Sequence, residues 1–139
     1  MTLLVFPDVN VWLALATPGH IHHKEAKRWF DSLDEADLFF CRFTQIGLLR
    51  LLTTAAIMGR DVLNQREAWQ AFDKFLAGGV RLLEEPPALE DHFRRLTRHT
   101  SSPQEWADAY LAAFALGGGL LLATFDKALA AKAKGSILL

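Results

Sequence analysis

Short, almost uninterrupted apolar runs punctuate the chain at residues 2–6 (TLLVF), 37–41 (DLFFC), 80–83 (VRLL), 120–124 (LLLAT) and 136–139 (SILL). Apolar character without in/out alternation is the mark of strands covered on both faces. Between these runs lie longer segments with apolar residues at helical spacing. Residues 22–33 place Ala26, Trp29, Phe30 and Leu33 on one face; residues 44–58 follow the same rule, and so do residues 64–77 with Ala68, Trp69, Phe72, Phe75 and Leu76. Asn64 and Glu67 are spaced as a capping box, and Gly78-Gly79 is a stop. Residues 88–99 predict a shorter basic helix. The next helix has Ser102 at the N-cap, Pro103 at the first helical position and Glu105 at the capping-box position. It is expected to run to about Leu116 and to stop at Gly117-Gly118-Gly119. A final helix follows Asp126, and residues 59–63 and 99–103 are turns. Strands alternating with helices predict an α/β fold, a parallel sheet covered on both faces. With no repeat, low-complexity stretch or linker, residues 1–139 read as a single domain.

Composition narrows the chemistry. Hydrophobic residues are 51% and charged residues 22%, which excludes intrinsic disorder. A net charge of -1 excludes a globally basic nucleic-acid binder but not a local basic face. The single cysteine, Cys41, excludes an internal disulfide and a multi-cysteine zinc cage; at the end of a buried strand it reads as an inert core thiol. The apolar start lacks a basic flank and runs directly into Pro7-Asp8, and the tract GGGLLLATF is far short of the ~20 residues a membrane-spanning helix needs. The expected compartment is the cytoplasm.

Three acidic residues stand out because their neighbours are apolar. Asp8 follows the first strand and opens VNVWLALA; Asp108 lies inside WADAYLAAFAL; Asp126 ends LLLATFD. A buried carboxylate costs several kcal/mol unless it is paired or binds a cation. In a right-handed parallel sheet the carboxyl ends of the strands form one edge, and a helix leading into a parallel strand begins at that edge. Asp8 and Asp126 end the first and fourth strands. Asp108, in the second turn of the helix before the fourth strand, falls at the same edge, and Gln45, in the first turn after the second strand, joins them. Neighbouring first and fourth strands would bring the carboxylates into one crevice. Such crowded acids call for a cation, and hard oxygen ligands select Mg²⁺ or Mn²⁺ over zinc. The reaction class implied is phosphodiester hydrolysis.

Each residue also has a plainer reading. Asp8 and Asp126 are favoured N-caps for the helices they precede, and Asp108 has a buried ion pair as its alternative. Glu105 is accounted for by its capping-box position. Asn10 and Thr124 are either donors that orient the carboxylates or locally backbone-bonded residues. Arg50, five residues after Gln45, either curls toward the crevice or forms a salt bridge elsewhere.

Outside this set, His20, His22 and His23 diverge around a helix start and lack zinc-helix spacing, which favours a surface turn. Arg94, Arg95, Arg98, His99 and Lys127 are either a positive rim for RNA or a solvated helix face. The stripe Trp69, Phe72 and Phe75 reads as core. Four Trp and ten Phe in so small a chain suggest aromatic surface left for a partner.

The fragments Asp8-V-Asn10-V-W-L-A-L, Thr44-Q-x-G-x-x-Arg50, Asp108-A-Y-L-A-A and A-Thr124-F-Asp126 together resemble the PIN-domain ribonucleases, most closely the VapC-type toxins of bacterial toxin–antitoxin pairs. The resemblance spans nearly the whole chain. It implies a three-layer α/β/α PIN-like fold with a central, mostly parallel five-stranded sheet. It also implies a Mg²⁺- or Mn²⁺-dependent endoribonuclease acting on tRNA or rRNA, a homodimer, and inhibition by a cognate antitoxin. By position, Asp8, Asp108 and Asp126 match the family's acidic metal-site residues. Gln45 departs from the pattern, since most members carry an acid there; it supplies no charge and leaves a second metal in question. Two other readings stand beside this one. A PIN-like module could bind antitoxin or RNA without cleaving it, and a receiver-like domain phosphorylated on a strand-end Asp would need a paired acid cluster and a switch lysine, neither of which is evident.

Overall fold

The computed structural model describes residues 2–139. Its strands are β1 (Leu3–Pro7), β2 (Ala36–Cys41), β3 (Arg81–Leu83), β4 (Leu121–Thr124) and β5 (Ile137–Leu138). All five predicted strands are present. They form one sheet in the order β3-β2-β1-β4-β5, and every pairing is parallel, where a mostly parallel sheet was expected. The chain builds outward from β1 in one direction through β2 and β3, then returns to its other side as β4. The strand order therefore reverses between β1 and β4, where Pro7 pairs with Ala123. In open parallel sheets a crevice forms outside the carboxyl ends of the strands at such a point.

Helices cover both faces because alternate strand residues point to opposite sides. Val5, Leu38, Phe40 and Ala123 face one core with Trp12, Leu13, Leu48, Leu52, Ala68 and Phe72. These come from α1 (Val9–Ala16), α3 (Arg42–Leu52) and α5 (Gln65–Ala77). Phe6, Phe39, Cys41 and Leu122 face the other core, with Leu89 from α6 (Leu89–Thr97), Leu111 and Phe114 from α7 (Glu105–Gly118), and Leu129 from α8 (Lys127–Ala130). The remaining helix of ordinary length, α2 (His23–Ser32), buries Ala26 beside the first core. Stacked rings tie sheet to helices: Trp12 on Phe40 at 4.0 Å and Phe6 on Phe114 at 4.8 Å.

Several boundaries differ from the sequence expectation, each for a local reason. The predicted helix 44–58 begins earlier and breaks in two, as α3 and a single turn α4 (Ala55–Met58), followed by a 3₁₀ turn over Gly59–Asp61. The break lies at Thr53 and Thr54, whose hydroxyls bond back to the carbonyls of Leu49 and Arg50 and compete with helix continuation. The capping box of Asn64 and Glu67 forms as expected. The one proposed for Ser102 and Glu105 does not: α7 starts at Glu105 and the Glu105 N–H bonds the Ser102 carbonyl. The final helix is only the short α8 rather than the whole run after Asp126. Among the described residues no helix is long and apolar enough to cross a membrane.

Candidate active site

Asp8 sits where β1 ends and α1 begins, and its extended backbone makes it the N-cap of α1. Oδ1 accepts the Asn10 N–H at 2.6 Å, and Oδ2 accepts the Thr124 hydroxyl at 2.6 Å. Both readings of Asp8 thus hold: it caps a helix and lies buried at the sheet edge, 5% exposed. The Thr124 hydroxyl also accepts the Asp126 N–H at 3.0 Å, so one buried side chain ties the ends of β1 and β4 together. Thr124 is both an orienting donor and a local backbone partner. Asn10 contributes through its backbone, with its side chain exposed.

Asp126 departs from the expectation of a dry setting. It is exposed and caps α8, its Oδ1 accepting the N–H groups of Ala128 and Leu129, while Oδ2 has no hydrogen bond among the described residues. Asp108 is half-buried and lies in the first turn of α7, not the second, because the helix starts later than its sequence signals suggest. Nor is it ion-paired. Lys132 instead pairs with Glu105, the residue assigned to a capping box, and Asp108 has no hydrogen-bond partner for its carboxylate among the described residues.

The three acids sense one another. Burial holds the Asp8 carboxyl above the ordinary carboxylate range; the hydrogen bonds from Thr124 and Asn10 oppose this, and the charges of Asp108 and Asp126 add to it. Burial likewise raises Asp108, with Asp126 and Glu105 pushing the same way and Lys132 pulling back. Among the described residues, no three Asp, Glu, His or Cys side chains already form a metal-ligand cluster, so the acids line one edge without closing into a cage. Their chemistry still fits a hard divalent cation. The donors are all carboxylate oxygens, Asp8 and Asp108 have proton affinity raised by burial and by neighbouring acids, and among the described residues one oxygen of Asp126 and both of Asp108 have no hydrogen bond.

Gln45 is buried in the first turn of α3, as expected, and its Oε1 accepts from Arg42 Nη1 at 2.6 Å. Arg42 carried no signal in the sequence reading; nor did Lys132, separated from Glu105 by the whole of α7 and β4. Thr44, fully buried, accepts the Cys41 N–H at 2.9 Å and fixes the start of α3. Arg50 forms no ion pair among the described residues and lines a cavity of about 610 Å³ with Val9, Asn10 and Ala107, each next to or near an acid in sequence. The salt bridge offered as the other reading of Arg50 is not found among the described residues.

The histidines are held by other bonds. His23 Nδ1 lies 2.7 Å from the Ala14 carbonyl, the His22 N–H donates to His20 Nδ1, and the His22 ring stacks on Phe125 at 4.6 Å. Arg94 bonds Glu90 one helical turn away, as a solvated face would. Phe72 is core, but Trp69 is 47% exposed. Burial pushes the Cys41 thiol up, consistent with an unreactive core group.

Known proteins resemble this chain along most of its length. The family model for the PIN domain matches residues 5–135. Ribonuclease VapC41 of Mycobacterium tuberculosis is 44% identical over 128 residues, covering 87% of this chain and 88% of that protein. Ribonuclease VapC39 of the same organism is 30% identical over 148 residues, covering 99% of this chain and 97% of that protein. Among solved structures, Mycobacterium tuberculosis VapC20, a sarcin–ricin loop cleaving toxin, superposes with a TM-score of 0.68 at 22% identity, covering 91% of this chain and 93% of its own. VapBC2 from Rickettsia felis, bound to a promoter DNA fragment, gives 0.66 at 9% identity, covering 99% and 98%. At such identities these structures speak for the fold.

Proposed function

The chain belongs to the PIN-domain family, and from that membership we propose that it is a VapC-type endoribonuclease, the toxin of a toxin–antitoxin pair, hydrolysing RNA phosphodiester bonds with Mg²⁺ or Mn²⁺ held by Asp8, Asp108 and Asp126. The observation that carries this reading is that Asp8 and Asp108, from separate elements, are each held above the ordinary carboxylate range by burial, with the charge of Asp126 adding to both, a cost that a divalent cation would relieve. When bound, such a cation neutralises phosphate charge and lowers the pKa of a bound water. The chain's own residues prepare for it. Thr124 and the Asn10 N–H hold both oxygens of Asp8 in place, leaving a lone pair on each. Asp126 is anchored through one oxygen and presents the other. Lys132 keeps Glu105 engaged and lowers the proton affinity of Asp108, favouring the ionised form a cation needs. Gln45 orients polar groups with Arg42, and Arg50 supplies positive charge to the cavity beside Asn10.

The substrate proposed is tRNA or rRNA, the inhibitor a cognate antitoxin, and the assembly a homodimer, as the resemblance to VapC proteins implies. A second reading is favoured by one observation. Gln45, engaged by Arg42, stands where a further acid would add charge, which fits a PIN-like module that binds RNA or antitoxin without cutting. Incubation of purified protein with total RNA, in Mg²⁺ or Mn²⁺ and in EDTA, separates the two. Cleavage that requires the cation and is lost by 100-fold or more in Asp8→Asn and Asp108→Asn supports the nuclease; inactive wild-type protein that still binds RNA supports the module.

A further inference from the structure

A second cavity, of about 510 Å³, opens between α6 and α7. It is lined by Glu90, Phe93, Arg94, Thr97, Arg98 and Trp106. Trp106 packs edge-to-face with Phe93 at 5.9 Å, yet is 59% exposed. A large aromatic ring braced at one side and left to solvent on the rest is a poor core residue and a good stacking platform. Charge points to what would stack on it. The acids of α6, Glu90 and Asp91, lie in its first turn, whereas Arg94, Arg95, Arg98 and His99 gather toward its end. Arg94 is held by Glu90, but Arg95, Arg98 and His99 have no acidic partner among the described residues. The positive end of α6 is thus the end that meets the start of α7, the turn that carries Trp106. In a chain whose net charge is -1, arginines without acidic partners among the described residues, set beside an exposed indole, are a local exception.

We propose that this cavity is a nucleotide subsite: an unpaired base stacks on Trp106 while an adjoining phosphate pairs with Arg98. The proposal rests on the nuclease reading for the identity of the polymer, and adds a requirement that reading lacks. The RNA must offer an unpaired nucleotide beside the segment it presents for cleavage, because a base paired in a duplex has no free face to lay on the indole. Stacking tolerates any base, so the subsite selects single-stranded loops over helices rather than one sequence over another.

The test is the anisotropy of a fluorescein-labelled, mixed-sequence single-stranded RNA decamer, titrated with full-length protein in EDTA so that cleavage is silent, beside a duplex of the same length. Trp106→Ala is expected to raise the decamer Kd by roughly tenfold or more and to move duplex binding little. Trp106→Phe keeps an aromatic face and is expected to recover most of the loss, which also separates stacking from misfolding. Arg98→Gln is expected to weaken binding and flatten its salt dependence by about one phosphate contact. Wild-type protein that ignores the decamer, or decamer binding indifferent to Trp106→Ala, overturns the subsite and leaves the pocket to a protein side chain. Cleavage of total RNA in Mg²⁺ or Mn²⁺ is scored separately. A protein that binds through Trp106 but cuts nothing refutes the nuclease reading alone, and one that cuts with binding unchanged by Trp106→Ala refutes the subsite alone.

Discussion

Thr124 does more for the acid edge than any residue whose charge announced it. Its single hydroxyl donates to Asp8 and accepts from the Asp126 backbone, so it satisfies a buried carboxylate and sets the spacing of two strand ends. Thr124→Val keeps the shape and removes both bonds, leaving a buried acceptor unmet. Urea denaturation is expected to show a loss of about 1–3 kcal/mol, with Thr124→Ser recovering most of it. Asp126 shows the opposite lesson. Its apolar approach, LLLATF, suggested burial, but the strand ends at Thr124 and the side chain turns outward to cap α8. A hydrophobic run in sequence reports where the chain is buried up to its last residue and is silent about the next one.

At the scale of elements, the site depends on how closely helices approach behind it. Gly47 of α3 faces Val9 of α1, and a Cβ added there would lie 2.7 Å from Val9 Cγ2. Gly47→Ala must either rotate a stiff β-branched side chain or push α3 from α1, whose first residue follows Asp8. A destabilisation of about 1–3 kcal/mol is expected, with Val9→Ala in the same chain restoring most of it; thermal melts of the two single variants and the double variant measure this. On the opposite face, a Cβ on Gly117 would lie 3.2 Å from the Leu89 backbone nitrogen, so the α6–α7 pair that frames Trp106 is also set by a small residue. Helix existence was legible from periodicity throughout. Helix ends were legible where a cap had no rival, as at Asn64, and misleading where it did: Lys132 draws Glu105 away from the capping-box geometry that Ser102 and Pro103 advertised.

For the molecule as a whole, the acid edge sets a relation between pH, cation and stability. Asp8 and Asp108 have folded-state proton affinities above the ordinary value of 3.8, so their favourable contribution is present below that value and is lost as pH rises through the elevated folded one. At neutral pH the cation-free protein therefore carries the cost of burying both ionised carboxylates together with the repulsion from neighbouring acids. Millimolar Mg²⁺ or Mn²⁺ is expected to raise Tm at pH 7, and the increment should shrink on mild acidification; Asp108→Asn should melt above wild type without cation and gain less from it. Calorimetric scans at several pH values check all three, and a wild-type Tm indifferent to both cations would count against the shared site. The sequence by itself determined the α/β class and the five strands and singled out three acids, because apolar runs, helical spacing and a carboxylate among hydrophobic neighbours are local signals. Only the tertiary structure decided that Thr124 joins β1 to β4, that Lys132 pairs with Glu105 near Asp108, that Asp126 faces solvent, and that Trp106 stands open beside Arg98. Those are meetings between residues remote in the chain, and their geometry follows from packing two helical layers on one sheet, which no local pattern records.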